Sequence, residues 1–464
     1  MTLTLRNVEL DGRSGLDVRI DAGRIDAIGA RLEPDTEEID GHGGALIPGL
    51  ADHHIHLFAL AAQADSEALD DVTSAAALRT RLEAAAARRP TGAWVRATGY
   101  HERMAGDLTR EALDALAPAH LLRVQHQTGA LWVLNSPALA AVDADQGPAC
   151  VERDAEGRPT GRIWRGDDWL LRRLPPAPPA LAPIGRRLAA YGITSVTDAS
   201  VTTDAVAAAR LASAHRAGEL PQRLTLMNGG ELAAPTDAAF AVGPVKVLLN
   251  DHALIELDDF VARIGAARAW ERRVAVHCVT AAELALALAA FDTAGAKHGD
   301  RVEHGGVIPA EAIAQLKALG LTVVTQPAFV RERGDRYLAE IEPREQADLY
   351  RCASLVAAGV PVAFSSDAPY ASPDPWIAVA AATRRATRAG RTLGHHERVE
   401  AQEALAMYLG PAASSGGPAR RVEVGAPADL CLLAGPLRDA LAAPSADQVR
   451  ATFIGGLPIY MAAS

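Results

Sequence analysis

Apolar, strand-like runs alternate with Ala- and Leu-rich helical stretches through the middle of the chain, and that alternation predicts a parallel α/β architecture. Eight such strands can be counted, the number a closed (β/α)8 TIM barrel needs, and 464 residues leave room beyond a barrel of about 250 for accessory parts. Strand-and-turn patterning at both termini, outside the barrel rhythm, predicts that those parts include a small β-sandwich built from the two ends.

Residues 1–50 read as short strands broken by turn signals (LTLRNVEL, LDVRIDAGRIDAIGA, EEIDGHGGALI), and a similar style returns within 400–464 in RVEVGAPADLCLLAG and VRATFIGGLPIYM. The two stretches are expected to pair into one composite sandwich, leaving 51–399 for the barrel. The first barrel strand lies in Ala45 to Leu57, ALIPGLADHHIHL, an apolar run that breaks at Pro48-Gly49. Residues 58 to about 185 depart from the rhythm: they hold a helical stretch (SAAALRTRLEAAAARR), isolated strands (WVRATGY, HLLRVQHQ) and the proline-rich LPPAPPALAP at 174–183. They are expected to form a subdomain inserted after strand 1, with the prolines as its return linker. Strands 2 to 8 follow as GITSVTDAS (192–200), RLTLMN (223–228), VKVLLND (245–251), RVAVHCV (273–279), RVEHGG (301–306), TVVTQPA (322–328) and PVAFSSDAP (361–369).

The totals narrow the function. Apolar residues at 49% and charged residues at 22% fit a globular chain, and a net charge of −11 with acids and bases interspersed argues against a nucleic-acid surface. No apolar run approaches the ~18 residues of a membrane span, and MTLTLRNVELDG lacks the pattern of a secretion signal, so no membrane contact and a cytoplasmic location are expected. Cys150, Cys278, Cys352 and Cys431 are scattered without CxxC spacing, which suggests neither disulfides nor a thiolate zinc site. A small-molecule substrate is the expectation that remains, and a homo-oligomer is compatible with it.

The chemistry starts at the end of strand 1, which delivers Asp52, His53, His54 and His56 within five positions. Side chains on a strand alternate faces, so Asp52, His54 and His56 point one way and His53 the other. Alone, this is also what a His-rich turn at a strand end looks like, since two imidazoles do not complete a metal shell. In a parallel barrel, however, chemistry sits at the carboxyl ends of the strands. There strand 4 carries Lys246, strand 5 reaches His277, strand 6 reaches Glu303-His304, and strand 8 ends in Ser365-Ser366-Asp367. Singly, His277 or His304 reads as a hydrogen-bonded core histidine and Asp367 as a turn cap; converging on one mouth, they read as a metal site. Glu303, beside His304, is expected on the opposite side of its strand in an ion pair facing the helix layer. Asp52 is expected either to orient one of the histidines or to pack.

Only three of the 46 basic residues are lysines: Lys246, Lys297 and Lys317. A lysine kept between Val245 and Val247 points to an amine that must be able to lose its proton, which arginine cannot do. A neutral amine can take up carbon dioxide as a carbamate, a carboxylate able to bridge two metals.

With these motifs (PGLADHHIHL, GPVKVLLND, VAVHCVT, DRVEHGG, VTQPAF, SSDAPYASPDP) the chain resembles the amidohydrolase superfamily of metal-dependent hydrolases. The likeness is to the family 3 branch with the N-substituted formamide deformylases, and is similar to the D-aminoacylases; it runs over nearly the whole chain, including GAPADLCLL, FIGGLPIY, NSPAL and RDAEGRPTGRI. It implies a distorted barrel with a composite sandwich, His54 and His56 on a first metal, and His277 and His304 on a second. It also implies two Zn2+ bridged by carboxylated Lys246, with Asp367 as ligand and proton shuttle. The implied reaction is hydrolysis of a non-peptide amide-type C–N bond, in an N-formyl or N-acyl compound, by a metal-bridged hydroxide. Relatives often have a histidine directly after a glycine where this chain reads His126-Gln127-Thr128-Gly129-Ala130, so a substrate role there falls to His126 or to nothing.

Substrate choice is expected in the loops after strands 7 and 8 and in the insert. These carry Arg331, Arg333 and Arg336 in VRERGDRY, Tyr370 and Trp376 in PYASPDPW, and Tyr100, His101 and Trp132 in the insert. The arginines suggest an anionic small-molecule amide, unless Glu332 and Asp335 neutralise them locally. Two other readings stand beside this one: a mononuclear deaminase of the same superfamily, with no use for Lys246, and a catalytically silent barrel serving as a regulator or binding scaffold.

Overall fold

The computed structural model describes residues 2–33, 37–69, 71–174, 179–251 and 254–463. The chain divides into two compact units, one of Met1–Leu57 with Leu181–Ser464 and one of Phe58–Ala180. Part of the expected proline linker, 175–178, lies outside the described residues.

The first unit is organised on an eight-stranded parallel sheet in sequential order. Its strands are β1 Leu50–Ile55, β2 Ile193–Asp198, β3 Arg223–Asn228, β4 Ala241–Leu248, β5 Val274–Cys278, β6 Arg301–His304, β7 Thr322–Thr325 and β8 Val362–Phe364. Seven fall within the predicted runs; the fourth, expected at 245–251, starts four residues earlier, at Ala241, and ends at Leu248. They are buried on both faces, as parallel strands covered by helices must be, which is why they read as continuous apolar stretches. The sheet closes at its carboxyl end: Asp367 N donates to His54 O at 2.8 Å and His56 N to Ala368 O at 2.9 Å, tying the segment after β8 to β1. Closure thus places the ends of the first and last strands side by side.

The break at Pro48-Gly49 marks a change of sheet. Leu46–Pro48 pairs antiparallel with Leu430–Leu433, and only Leu50–Ile55 enters the barrel. A Cβ at Gly49 would overlap the Thr194 side chain, so the switch needs glycine. The sandwich is composite as expected. A four-stranded sheet of Leu3–Leu10, Arg13–Asp21, Arg24–Gly29 and Glu38–Asp40 faces one made of Leu46–Pro48, Leu430–Leu433, Val449–Ile454 and Leu457–Met461. Leu3, Leu5, Val18 and Ile20 from one sheet and Leu46, Leu430, Leu432 and Phe453 from the other share one core. Ala401–Ala406, which the reading assigned to the sandwich stretch, is a helix packed on Pro375–Arg384.

The second unit has its own six-stranded sheet, with Trp94–Tyr100, Leu121–His126, Leu131–Leu134 and Pro159–Trp164 at its centre. Leu82, Val95, Leu122 and Val133 cover one face of it, and Trp132, Leu139 and Ile163 belong to a second core. No helix among the described residues is long and apolar enough to cross a membrane.

Candidate metal centre

The strand ends bring the predicted residues to one place. The His54 ring centroid lies 5.3 Å from that of His56 and 4.8 Å from that of His304, and His277 lies 4.5 Å from His304. Asp367 Oδ1 is 3.4 Å from His54 Nε2 and 3.2 Å from His56 Nε2, so that His54, His56 and Asp367 form a group able to hold one ion. Lys246 projects inward from β4, whose neighbour β5 pairs Ala275 with Lys246 and His277 with Leu248. At 4% exposure its Nζ has no hydrogen-bond partner among the described residues. His53 points away, as alternation requires, with Nδ1 3.0 Å from Ser415 Oγ.

The charge states suit a cation. Burial is the main cause that lowers four imidazole pKa values here: His277 to about 4, His53 to about 3, His54 and His304 well below the usual value. All four are therefore neutral at pH 7 and carry a free lone pair. Burial likewise depresses Lys246, against the opposing pull of Glu303 and Asp367, which favours the neutral amine. Asp52 is pushed up to about 6, by burial first.

Which nitrogen carries the lone pair is set from behind. Three rings have Nδ1 occupied: His54 by Glu303 Oε2, His56 by Ser200 Oγ at 3.1 Å, and His304 by Gln326 Oε1 at 2.9 Å. A neutral ring that donates from Nδ1 presents a bare Nε2. The Nε2 atom of His54 then faces Asp367 Oδ1 with no proton between them, that of His304 is likewise bare, and Asp367 Oδ1 is a buried atom without a hydrogen-bond donor among the described residues. Three electron-rich atoms and an unpartnered amine converging in a buried site are poorly satisfied by one another and well satisfied by divalent cations. The residues present therefore fit the implied metal.

Two expectations are corrected here. Glu303 does not face the helix layer. His304 sits at φ 70°, in the left-handed region, which breaks strand alternation and lets Glu303 and His304 both reach the mouth. The expected ion pair does form, with Arg301. The histidine-orienting role considered for Asp52 falls to Glu303 instead, while Asp52 accepts from Ser366 N at 3.1 Å, from Ser366 Oγ and from His54 N, and so fixes the residue before Asp367.

The proposed substrate residues separate. Tyr370 stands at the mouth, 57% exposed and 5.7 Å from the His56 ring. The arginines lie on a helix, Ala328–Glu340, where a loop was expected. Arg333 donates from Nη2 to Tyr370 O at 2.7 Å and stacks on Phe329 at 4.3 Å. The acids suspected of neutralising it are engaged elsewhere: Asp335 pairs with Arg391 at 3.0 Å, and Glu332 accepts from Ser372 N. Arg331 is exposed, and Arg336 pairs with Glu340 at 3.3 Å. Trp376 is not a wall of the mouth: Asp374 and Pro375 start a helix that turns the indole into the core, 1% exposed, with Nε1 donating to Tyr191 O. Within the insert, His126 lies between Glu102 and Thr128, His101 caps a short helix, the Tyr100 hydroxyl donates to Gly106 O, and Trp132 donates to Asp167. Ser200, Gln326 and Arg301 went unread as contributors. Their strands were identified, but nothing local in the sequence marks a residue that acts through a ring on the neighbouring strand.

Comparison with known proteins shows the family and the fold. The chain is 25% identical to the N-substituted formamide deformylase of Arthrobacter pascens over 511 aligned residues, which cover 92% of each. In three dimensions it resembles an uncharacterized metal-dependent hydrolase of Pyrococcus horikoshii, with a TM-score of 0.76, 19% identity, and 93% of this chain and 97% of that one covered. It also resembles the N-isopropylammelide isopropylaminohydrolase of Burkholderia multivorans, at a TM-score of 0.55 and 18% identity, with 99% and 98% covered. Residues 37–460, from the sandwich through every strand of the barrel, match the amidohydrolase family, and the chain belongs to that family as a hydrolase acting on carbon–nitrogen bonds.

Proposed function

We propose that the protein hydrolyses the amide-type C–N bond of an N-formyl or N-acyl small molecule, using two zinc ions held by His54, His56, His277, His304 and Asp367 and bridged by carboxylated Lys246. The observation that carries this reading is the Lys246 amine, buried without a partner among the imidazoles. A single-ion deaminase would leave that amine unexplained. As a neutral nucleophile, Nζ can add to carbon dioxide and release one proton, giving the carboxylate that the site lacks.

Divalent ions in this position supply a lowered water pKa and a polarised carbonyl. The remaining work falls to the chain. Asp367 accepts the proton released as water adds to the carbonyl carbon, then returns it to the leaving nitrogen, which departs as a neutral amine. Ser366, clamped by Asp52, holds that carboxylate in register. Tyr370 borders the mouth, and the Arg333 guanidinium behind it supports binding of a substrate anion. The relative's name, N-substituted formamide deformylase, supports N-formyl compounds as the first class to assay. The four cysteines are all free, three of them buried, which supports a reducing, cytoplasmic setting.

The test is a panel of N-formyl, N-acetyl and N-acylamino-acid compounds assayed alongside metal analysis. Two ions per chain and turnover on the N-formyl members are expected. The compact group His54, His56 and Asp367 favours one alternative, a mononuclear deaminase. One ion per chain in active protein, with full activity in Lys246→Ala, would establish it.

A further inference from the structure

We infer that Glu303, held by Arg301, is a positioning residue: it fixes the proton of His54 on Nδ1 and so aims the Nε2 lone pair of that ring at the metal. The inference rests on the metal reading above and concerns how one ligand is kept competent.

Glu303 is 0% exposed, and both its oxygens are engaged. Oε2 accepts from His54 Nδ1 and Oε1 from Arg301 Nε. Arg301 is itself immobilised, donating from Nη1 to Ser415 Oγ at 2.6 Å and from Nη2 to His53 O at 3.0 Å. Both oxygens are therefore turned to fixed partners, and the carboxylate's one contact with the mouth is the back of a ligand ring. Its anchors lie on three separate segments: β1, β6 and the turn after Ala412–Ser414. A buried anion braced in this way and aimed at an imidazole favours one tautomer strongly, because the other would set a lone pair against a carboxylate oxygen. Gln326 does the same for His304 with a neutral oxygen, and the Ser200 hydroxyl at His56 can donate as well as accept, which makes Glu303 the member with the largest lever.

Glu303→Gln keeps the shape and replaces one acceptor by a donor. Both neighbours, Arg301 Nε–H and His54 Nδ1–H, need an acceptor, and the amide has a single oxygen. If Arg301 takes it, the amide NH2 faces Nδ1 and drives the His54 proton to Nε2, where it blocks the lone pair. Zinc affinity, measured by competition with a chromogenic chelator, is expected to weaken about 10- to 100-fold, the usual range for such partners. The metal-free protein should melt lower as well, because the variant leaves the buried Arg301 guanidinium without its counter-charge, so zinc affinity and its recovery, not the melt, carry the test. The double variant Arg301→Met with Glu303→Gln, which frees the oxygen for His54, should recover part of the affinity.

Equal zinc affinity in wild type and Glu303→Gln would overturn the inference while leaving the metal reading intact; a wild type that binds no zinc would overturn both. Should Glu303→Gln fail to fold, Glu303→Asp keeps the pair with Arg301 and shortens the reach to His54. Weakened zinc with an unchanged metal-free melt would then support the inference. Unchanged zinc, or a second failure to fold, would show that Glu303 serves the fold alone.

Discussion

Replacing Lys246 by methionine should stabilise the metal-free protein while destroying its activity, and the two signs together are diagnostic. The side chains are similar in length and the site is 4% exposed, so packing is largely conserved. What is removed is a buried polar atom with no partner. An uncompensated polar group costs about 1–3 kcal/mol by mutational measure, so the metal-free variant should gain about that much, or roughly 1–3 °C in its melting transition. The gain carries a pH signature. The folded pKa of Lys246 lies below its ordinary 10.5, so between the two values the unfolded chain binds the extra proton and wild-type stability rises with pH. The advantage of the variant is thus largest at neutral pH and narrows as pH approaches 10.5. In the metal-loaded protein the ordering reverses: Lys246→Met should retain at most one ion per chain and lose at least about 100-fold in turnover. Matched melts after exhaustive chelation, elemental analysis and a hydrolysis assay decide the matter. A metal-free Lys246→Met less stable than wild type, or one with two ions and full turnover, would refute a lysine kept for its chemistry.

Chelation should abolish hydrolysis and zinc should restore it; at a free concentration 100-fold above Kd, zinc should also raise the stability of the metal-free protein by about 2.7 kcal/mol for each ion bound, read in a thermal shift. A barrel without catalysis would show the shift and no turnover. Arg333→Met should raise KM about 10- to 100-fold for carboxylated substrates, as loss of one charged hydrogen bond implies, and leave neutral N-formyl compounds unchanged. Arg331→Ala, at an exposed position, should alter neither, and equal KM values for Arg333→Met and wild type would remove the anionic substrate. Far from the mouth, Glu397 is 0% exposed, 2.6 Å from Arg351 Nη1, and accepts from Cys352 N and Ser354 N. Burial raises its pKa, but these donors and the Ser354 hydroxyl outweigh it and leave the folded value lowered. Its contribution is therefore present above pH 4.5 and lost as pH falls through the folded pKa. Glu397→Ala should cost about 3 kcal/mol at pH 7, since Asp348 still pairs with Arg351, and the gap in urea midpoints should shrink in acid.

Most of the barrel was legible because its strands are covered on both sides and buried along most of their length; Thr322–Thr325, buried at every residue, needs no alternation to be seen. The histidines were legible because imidazoles at strand ends have few other reasons to recur. What was not legible depends on partners distant in sequence. Asp335 neighbours Arg333 and Arg336 along the chain, yet it pairs with Arg391, because the helix Ala328–Glu340 turns it toward the turn around Thr387. Trp376 read as an exposed aromatic of a loop; the helix begun by Asp374 and Pro375 makes it core.

The misplacement of Glu303 has a different cause, and it says how the mouth is built. Period-two reasoning assumes extended backbone, and two of the proposed ligands, His304 at φ 70° and Asp367 at φ 54°, abandon it. Left-handed backbone at a non-glycine residue costs of order 1–3 kcal/mol and persists only where surroundings over-determine it. Here they do. Ser366, before Asp367, is clamped by Asp52, and Asp367 N is bonded to His54 O; Gly305, after His304, is itself at φ 55° and donates to Glu303 O at 2.9 Å. The turn at His304 lets consecutive residues serve one site, the imidazole as ligand and the carboxylate as the brace of another ligand. A strand that kept its alternation could offer only one of the two, so the strained residue is what allows ligand and brace to come from a single four-residue strand.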